Sequence, residues 1–549
     1  MRLPKEVRLL AGTDRPVRET MEPFAPQALD FLDALSRALR ACSTDPETVA
    51  FAFWCRRAHL RSLQKKHGIP DPQEKKGAET GGKTVEAERG QESGKSGGQI
   101  ITGTLPEGKA MPLRLGRGRI FHLAPANVPM MFAYTWAIGL LAGNAGIVRI
   151  SERTLRLESV QLVLKSIQDL LGGEEDGALA CDGGKCDDSG LPARDGSDIS
   201  AGNGDGSMLR TASPFEEIRC RTSFVTYEHS DAVTEEVLSH CDGRVLWGGD
   251  ETIRKMRQIP MPAHAVELAF PDRVSLAVID ERALAQMPEE DLRSLVHRFY
   301  NDTYVMDQNG CSSPQTVIWL RPQQTECAKE KGQPQWTECA KARLRPLQTE
   351  SAGEKIQHAE RPGKQLQHEE GADGSKSRRG SDPGQESREE CPEGSVREKW
   401  WTLLAQEAEA EYENDGFRAA RKLEKAALAS MSGGEAGKPA VTSIRRFGGN
   451  ALYVLHLEQL PEDLAQYKGG SGLFYEAETD SPESIFGSFS DRIQTIICIG
   501  IRPDRLAAEA LQAHSPGGLR FVQAGQALQM DTFWDGTDLI EALSRRILL

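Results

Sequence analysis

One cysteine lies in a polar turn at Asn309-Gly-Cys311-Ser-Ser-Pro314, with a helix predicted before it and an apolar strand after it. Small neighbours leave a thiol accessible to a substrate, and the backbone N–H groups of a turn can stabilise negative charge beside it. Cys311 is therefore a candidate nucleophile for covalent catalysis. The alternative is that it is one of eleven cysteines with no special role.

A pair of glycines suggests a second functional turn. A predicted strand ends at Trp247 and is followed by the turn Gly248-Gly249-Asp250-Glu251-Thr252, after which a helix is predicted over 253–258. Glycines let the backbone approach a phosphate, and the N-terminus of a helix favours anions. The pattern indicates a nucleotide phosphate site, although a tight turn without a ligand fits it equally well.

Glu267 is the one acidic residue of an apolar predicted strand at 265–270. A carboxylate in such a strand is either a poised general base or a side chain that points outward at the edge of a sheet. The sequence leaves both interpretations open.

Composition excludes several classes of function. The net charge is −14 without long basic runs, which argues against a nucleic-acid partner. The most apolar stretch, 128–142, is too short to span a bilayer, and the first residues lack a secretory signal. Cys181 and Cys186 have no second ligand pair nearby, so no metal site is expected. We therefore expect a reduced, soluble, cytoplasmic protein.

Strand and helix patterns alternate over the middle of the chain. Short apolar runs at 119–125 and 145–150 are each followed by a helical pattern, and the same rhythm resumes after residue 220. Such alternation predicts an α/β fold with a parallel sheet. Two helices are predicted within 23–66 and one long helix over 399–431.

Three segments poor in apolar residues, at 71–98, 172–211 and 321–394, interrupt this rhythm. They cannot bury enough apolar surface to offset the entropy of ordering, so we interpret them as disordered insertions. The predicted organisation is an N-terminal helical and nucleotide-binding domain over 1–270 and a catalytic domain carrying Cys311 over 271–490. A C-terminal segment over 491–549 completes the fold.

The order of these motifs resembles that of the aldehyde dehydrogenase superfamily. Ala-Pro-Ala-Asn127-Val-Pro is similar to the segment that gives that superfamily an oxyanion-hole asparagine, and Cys311 falls at the position of its nucleophile. Within the superfamily, Asp307-Gln-Asn-Gly-Cys-Ser-Ser-Pro-Gln315 and the closing Trp534-Asp-Gly-Thr-Asp-Leu-Ile look like the LuxC family of acyl-thioester reductases. The resemblance covers about 110–320 and 395–549.

The resemblance implies roles for further residues. Asn127 would serve the oxyanion hole and Glu267 would be a base, although the glycines that follow the superfamily's glutamate are missing here. The resemblance implies a Rossmann-type cofactor domain, a bound NADPH, with NADH as the alternative, and a cofactor site at these residues: Arg149, Ser151, Glu152, Trp247, Gly248, Gly249, Asp250 and Thr252.

The implied reaction is reduction of a long-chain fatty acyl thioester to the aldehyde through an acyl-cysteine. The acyl donor would be acyl-CoA or an acylated partner protein such as an acyl-protein synthetase, and the enzyme a homo-oligomer. Two alternatives remain open on the sequence. One is an oxidoreductase of the same fold that acts on a small aldehyde or acyl phosphate, and the other is a non-catalytic scaffold with this fold.

Overall fold

Two largely parallel β-sheets, each flanked by helices, form the frame of the chain. The computed structural model describes residues 1–70, 113–172, 214–321, 395–432 and 439–547. The predicted α/β class with parallel sheets is confirmed. Apart from Gly172 and Arg321, the predicted insertions at 172–211 and 321–394 lie outside the described residues, as does the whole of 71–98.

The first sheet has six strands in the order β1-β5-β4-β3-β6-β7, and only β1 runs antiparallel to its neighbour. The elements of this half are β1 (Arg8–Gly12), α1 (Pro26–Cys42), α2 (Pro46–Trp54), α3 (Arg57–Lys66), β2 (Leu113–Gly116), β3 (Arg119–Leu123), α4 (Met131–Leu141), β4 (Ala145–Arg149), α5 (Glu158–Leu171), α6 (Glu216–Arg219), β5 (Thr222–Thr226), α7 (Asp231–Leu238), β6 (Gly243–Trp247), α8 (Asp250–Gln258) and β7 (Val266–Phe270).

The strand order reverses between β3 and β6. From β3 the chain adds β4 and β5 on one side, then returns to place β6 and β7 on the other. In an open parallel sheet, the crevice beyond the carboxyl ends of the strands at such a reversal is where ligands bind. The residues that follow Leu123 and Trp247 border this crevice.

The second sheet has seven strands in the order β10-β11-β12-β9-β8-β13-β14, and only β10 is antiparallel. Its half contains β8 (Val274–Asp280), α9 (Glu281–Ala285), α10 (Glu289–Thr303), β9 (Pro314–Leu320), α11 (Val396–Glu411), α12 (Gly416–Ser432), β10 (Val441–Phe447), β11 (Leu452–Leu457), β12 (Leu473–Thr479), α13 (Pro482–Gly487), β13 (Ile493–Ile499), α14 (Pro503–Gln512) and β14 (Arg520–Gln523). Cys311 lies just before the amino end of β9.

Two helical predictions differ from the structure in detail. Three helices, and not two, form within 23–66, because Arg56 adopts an extended conformation that separates α2 from α3. The pattern over 399–431 is divided into α11 and α12 because Tyr412 is extended and the Asp415 carboxylate caps a new helix by accepting from the Arg418 N–H (2.7 Å). Hydrophobic spacing alone did not reveal either break.

The C-terminal segment packs against the first half of the chain. It contains β15 (Phe533–Trp534), β16 (Thr537–Asp538), α15 (Leu539–Ala542) and β17 (Ser544–Ile547), which pairs with β2. Asp535 and Gly536 form a two-residue hairpin turn with φ of 47° and 72°, as such turns require. Trp534 is buried in the core that also contains α4. No helix of the described ranges combines the length and apolar character needed to cross a bilayer.

Glu476 on β12 is a buried carboxylate that ties several elements of the second half together. It accepts hydrogen bonds from the indole N–H groups of Trp319 and Trp401 (2.9 Å each) and pairs with Arg445 (2.6 Å) and His456 (3.3 Å). Burial by itself raises the pKa of Glu476, but the hydrogen bond from His456 and the charge of Arg445 lower it to about 2.

We expect Glu476→Gln to lower the free energy of unfolding by about 3 kcal/mol at neutral pH, because it leaves the Arg445 charge without its buried partner. The wild-type contribution is present above the unfolded-state pKa of about 4.3 and is lost as the pH falls towards 2. Urea unfolding at pH 7 and at pH 3 measures both effects. The control is Glu398→Gln, which removes the exposed partner of the same arginine and should cost less than about 1 kcal/mol. Equal costs for the two variants would contradict this role of Glu476.

Candidate active site

The backbone of the Cys311 turn is held in an uncommon conformation by two buried glutamines. Asp307 and Gln308 both have left-handed φ values, 51° and 55°, which non-glycine residues rarely adopt. The Gln308 amide donates to the Pro314 carbonyl (3.0 Å) and accepts from the Gly472 N–H (2.7 Å). The Gln315 amide in turn donates to the Gln308 carbonyl (2.7 Å). These bonds join both ends of the turn and fix the position of Cys311.

Ser275 attaches the turn to the neighbouring strands. Its hydroxyl donates to the Cys311 carbonyl (2.7 Å) and accepts from the Thr495 N–H (3.1 Å). Ser275 is the second residue of β8 and Thr495 lies in β13, so one buried hydroxyl connects the cysteine to two adjacent strands of the second sheet. No sequence pattern marks this serine.

Asn127 connects the crevice of the first sheet to the turn that carries Cys311. It follows β3 by four residues, is exposed, and its side-chain amide donates to the Asn309 carbonyl (3.2 Å), two residues before Cys311. An asparagine amide has two N–H donors, and this bond uses one of them. The structure thus places together the two residues that the sequence predicted as nucleophile and oxyanion donor.

The thiol of Cys311 is more weakly acidic than we expected from its turn. Burial, reinforced by the charge of Asp535, raises the pKa of Cys311 to about 11. A hydrogen bond from Gln494, the charge of Arg520 and the N–H of Cys311 itself oppose this rise. The expectation that the turn favours a thiolate is therefore wrong for the free protein, because apolar surroundings and a nearby carboxylate outweigh the donors.

The C-terminal hairpin supplies the carboxylate near the thiol. Asp535 accepts from the Gln494 amide and pairs with Arg273 (3.3 Å), and its side chain is almost wholly buried. The Arg520 guanidinium lies 5.2 Å from the ring of Trp534, which directly precedes Asp535. In the sequence, Trp534-Asp-Gly serves only as part of the family resemblance, with no chemistry attached to it. Its Asp-Gly pair is the hairpin signal that could have marked Asp535 as a positioned residue.

The predicted cofactor turn lies at the carboxyl end of β6. Gly249 is the N-cap of α8, and a Cβ built on it meets open space, so the backbone is accessible to a ligand. Thr252 is exposed nearby, and Asp250 forms an ion pair with Arg492 of the second half. A Cβ on Gly248 would make only ordinary contact with Thr252, so packing alone does not require glycine there.

The side chain of Trp247 points into the core and not into the crevice. It is 5% exposed, stacks on Phe270 with ring centroids 4.0 Å apart, and donates to the Thr135 hydroxyl (3.0 Å). Only its backbone lies where a nucleotide could contact it. The indole therefore anchors the start of the glycine turn to the core through Phe270 and Thr135.

Arg149, Ser151 and Glu152 lie together at the carboxyl end of β4. The Arg149 guanidinium lies over the Tyr227 ring (4.5 Å) and donates to the Tyr227 carbonyl (3.2 Å). Glu152 accepts from Arg8 (3.2 Å) and from Thr226 (3.1 Å), while the Ser151 hydroxyl bonds to Thr154 (2.7 Å). All three border the same edge of the sheet as Asn127.

Glu267 lies away from the Cys311 turn. It pairs with Arg244 (2.6 Å) on the neighbouring strand and with Arg257 (2.8 Å) of α8. Burial alone raises the pKa of Glu267, but the hydrogen bonds from the two arginines lower it overall. Side chains along β7 alternate between the two faces of the sheet. Leu268 and Phe270 pack in the same hydrophobic core as Cys311, whereas Ala269, which shares its face with Glu267, packs in the core on the other side of the sheet. The structure does not bring Glu267 to the nucleophile.

Within the ranges that the structure describes, no group of histidine, cysteine or acidic side chains has the arrangement of a metal site. The six cysteines of these ranges are all free thiols. The groups that line this edge are one thiol, amide donors and charged side chains.

Comparisons with solved structures return matches at low similarity. An oxidoreductase from Marinobacter aquaeolei is 9% identical with a TM-score of 0.48, and the match covers 96% of this chain and 87% of that one. Proline utilization A from Bdellovibrio bacteriovorus is 11% identical with a TM-score of 0.49, over 96% of this chain and 43% of the other.

Sequence comparisons give a more specific result. The long-chain acyl-protein thioester reductase of Vibrio harveyi is 24% identical over 217 residues, which are 39% of this chain. The match spans 35%, about a third, of that relative's length. Residues 105–330 match the family described as acyl-CoA reductase (LuxC). The resemblance to LuxC is thus confirmed over the part of the chain that carries Asn127 and Cys311.

Proposed function

We propose that this protein reduces a fatty acyl thioester to the fatty aldehyde through an acyl group carried on Cys311. The observation that carries the proposal is the hydrogen bond from Asn127 to the carbonyl of Asn309, which joins the nucleotide crevice to the turn of the nucleophile. The match of 105–330 to the acyl-CoA reductase family supports the same chemistry.

In the first half-reaction the Cys311 sulfur attacks the acyl carbonyl. A new C–S bond forms, the bond to the carrier thiol breaks, and the carrier leaves as a thiolate that takes up a proton. The second N–H of the Asn127 amide and the backbone N–H of Cys311 would stabilise the oxyanion of the tetrahedral intermediate. Because the thiol has a pKa of about 11, attack requires loss of its proton, and the rate should rise with pH.

The crevice residues fit a nicotinamide nucleotide. The open backbone at Gly249 and the N-terminus of α8 would hold the diphosphate, and Asn127 and Thr252 border the same edge. A bound reduced nicotinamide would supply the hydride that converts the acyl group to the aldehyde level. Breakage of the C–S bond then releases the aldehyde and returns the Cys311 thiolate.

We assign NADPH as the preferred form on the basis of charge. The Arg149 guanidinium is held at the crevice edge by Tyr227, and the carboxylate of Glu152 is already paired with Arg8. The acid of the glycine turn, Asp250, is likewise paired with Arg492. Both carboxylates that would repel the 2′-phosphate of NADPH therefore have cationic partners. Arg149 would then attract this phosphate.

The position of Glu267 supports reduction over oxidation. Oxidation of an aldehyde to an acid requires an activated water to hydrolyse the acyl-cysteine, and a carboxylate base is the usual means. Glu267 is engaged by two arginines on the far face of β7, so it is not available for that role. An acyl-cysteine without a neighbouring base would persist long enough to be reduced.

Cys311→Ser should abolish both covalent acylation and acyl-dependent NADPH oxidation, because a hydroxyl with no adjacent base does not replace a thiol nucleophile. Intact-mass spectrometry after exposure to a panel of acyl-CoAs measures the first, and absorbance of NADPH the second. The control is Cys42→Ser, which removes an exposed free thiol elsewhere. Normal turnover by the Cys311 variant would refute the proposal.

Asn127→Ala should slow acylation about 100-fold while leaving the acyl-cysteine detectable, because one oxyanion donor is lost. Rapid-quench mass spectrometry gives the acylation rate. Asn127→Asp is the matched variant: it keeps the shape of the side chain, lacks the amide donors and should be impaired at least as strongly. An unchanged rate in both variants would remove Asn127 from the site.

Asp535→Asn should lower the pKa of Cys311, since it removes the negative charge that disfavours the thiolate, and asparagine tolerates the left-handed φ of the turn. We expect the pH profile of iodoacetamide alkylation at Cys311 to move down by about one pH unit. Asp531→Asn, in the same segment, serves as the control. A profile that stays in place in the Asp535 variant would contradict the electrostatic role of this carboxylate.

A further inference from the structure

Three cationic side chains cluster between α12 and the glycine-rich loop that precedes β12. Lys425 of α12 donates to the Gly469 carbonyl, and Lys468 lies in the chain immediately before that glycine. Arg421 is one turn earlier on the helix and exposed, with its guanidinium 5.7 Å from the Phe417 ring. Burial, together with the like charges of Arg421 and Lys468, lowers the pKa of Lys425, so each of these two cations acts on the Lys425 ammonium.

Two carboxylates lie beside these three cations, which leaves the cluster with a net positive charge. Asp272 pairs with Lys468, and Glu424 lies three residues after Arg421, about 60° around α12. The remaining cations on the helix face the interior and have their own partners. Arg418 binds Asp307, and Lys422 donates to Asn414 (3.0 Å) and to the Ala451 carbonyl (3.2 Å).

The loop next to the cluster has a backbone that leaves room in front of Lys425. Gly470 and Gly472 have φ of 130° and 87°, and Ser471 between them has φ of 53°. A Cβ on Gly470 would lie 3.2 Å from the Lys425 ammonium. Glycine at this position therefore keeps the space before the ammonium open.

The cluster lies beside the candidate nucleophile. The Ser471 N–H donates to the Asp307 carbonyl (3.0 Å) and the Gly472 N–H to the Gln308 side chain (2.7 Å), so the loop packs on the turn that carries Cys311. β9 and β12 are parallel neighbours, and Cys311 and this loop precede their amino ends. Adjacent strands are about 4.8 Å apart, so both features occupy one edge of the second sheet.

We propose that Arg421, Lys425 and Lys468 bind the phosphates of coenzyme A when the acyl donor is an acyl-CoA. The inference rests on the proposed function, and it identifies the carrier. The pantetheine arm of coenzyme A separates the thioester from the phosphates, so a phosphate site must be offset from the thiol along the same edge. An acyl group on a protein cysteine carries no phosphate, so it offers no group for a cluster of three cations to bind.

The test compares two thioesters of the same fatty acid, one of coenzyme A and one of N-acetylcysteamine, which lacks the phosphates. Arg421→Gln combined with Lys468→Gln should raise KM for acyl-CoA about 10-fold or more, because charge-assisted contacts to the phosphates are lost. Kinetics with the N-acetylcysteamine thioester should change less than about twofold. For the wild-type protein, KM for acyl-CoA should rise with ionic strength, whereas KM for the N-acetylcysteamine thioester should not.

The matched control is Lys399→Gln, which removes a surface lysine that also pairs with one carboxylate, Glu289 (2.9 Å). It should leave KM unchanged for both thioesters. Glu424→Gln removes a negative charge beside the cluster and should lower KM for acyl-CoA. Circular dichroism checks that the variants are folded.

The outcomes separate the two proposals. If wild type and the double variant use acyl-CoA with the same KM, the phosphate site is overturned while reduction through Cys311 stands. An equal loss with both thioesters in the folded double variant would also overturn it, because the phosphates would then not be what the cations recognise. If neither thioester acylates Cys311 in wild type, the proposed function itself fails.

Discussion

The pair of hydrogen-bonded glutamines beneath the Cys311 turn is the constraint on which the rest of the site depends. The Gln308 amide donates to the Pro314 carbonyl and accepts from the Gly472 N–H, just before the neighbouring strand β12. The Gln315 amide donates to the Gln308 carbonyl. Two consecutive left-handed residues are costly outside glycine, and buried amide bonds of this kind are what compensate. The same bonds fix the loop at 469–472, so the position of the thiol and that of the cationic cluster are set together.

The candidate active site lies where the two sheets present opposite ends to each other. The carboxyl ends of β3 and β6 supply Asn127 and the glycine turn, and the amino ends of β8, β9 and β13 supply Ser275, Cys311 and Gln494. Contacts such as Asn127 to Asn309 and Asp250 to Arg492 join the two edges. A nucleotide bound to one sheet and an acyl group bound to the other would therefore meet at the thiol.

Sequence reasoning found what depends on local pattern. The α/β alternation, the strand before Asn127 and the turn of Cys311 were predicted from hydrophobic spacing and turn residues, and the structure has them. The pKa of Cys311 is not predictable from the sequence, because it depends on burial and on Asp535 and Gln494, which are distant in the chain. Glu267 shows the same limit: a strand pattern does not tell which face a side chain occupies, or that Arg244 and Arg257 lie beside it.

The hairpin at Asp535 also has a consequence for the order of synthesis. Cys311 leaves the ribosome long before Asp535 exists, so the nascent thiol lacks both the burial and the carboxylate that later disfavour its ionised form. A more acidic thiol is the more easily oxidised one. Completion of the C-terminal hairpin would thus shield the nucleophile from oxidation, and a chain cut before residue 530 would carry a cysteine more vulnerable than that of the intact protein.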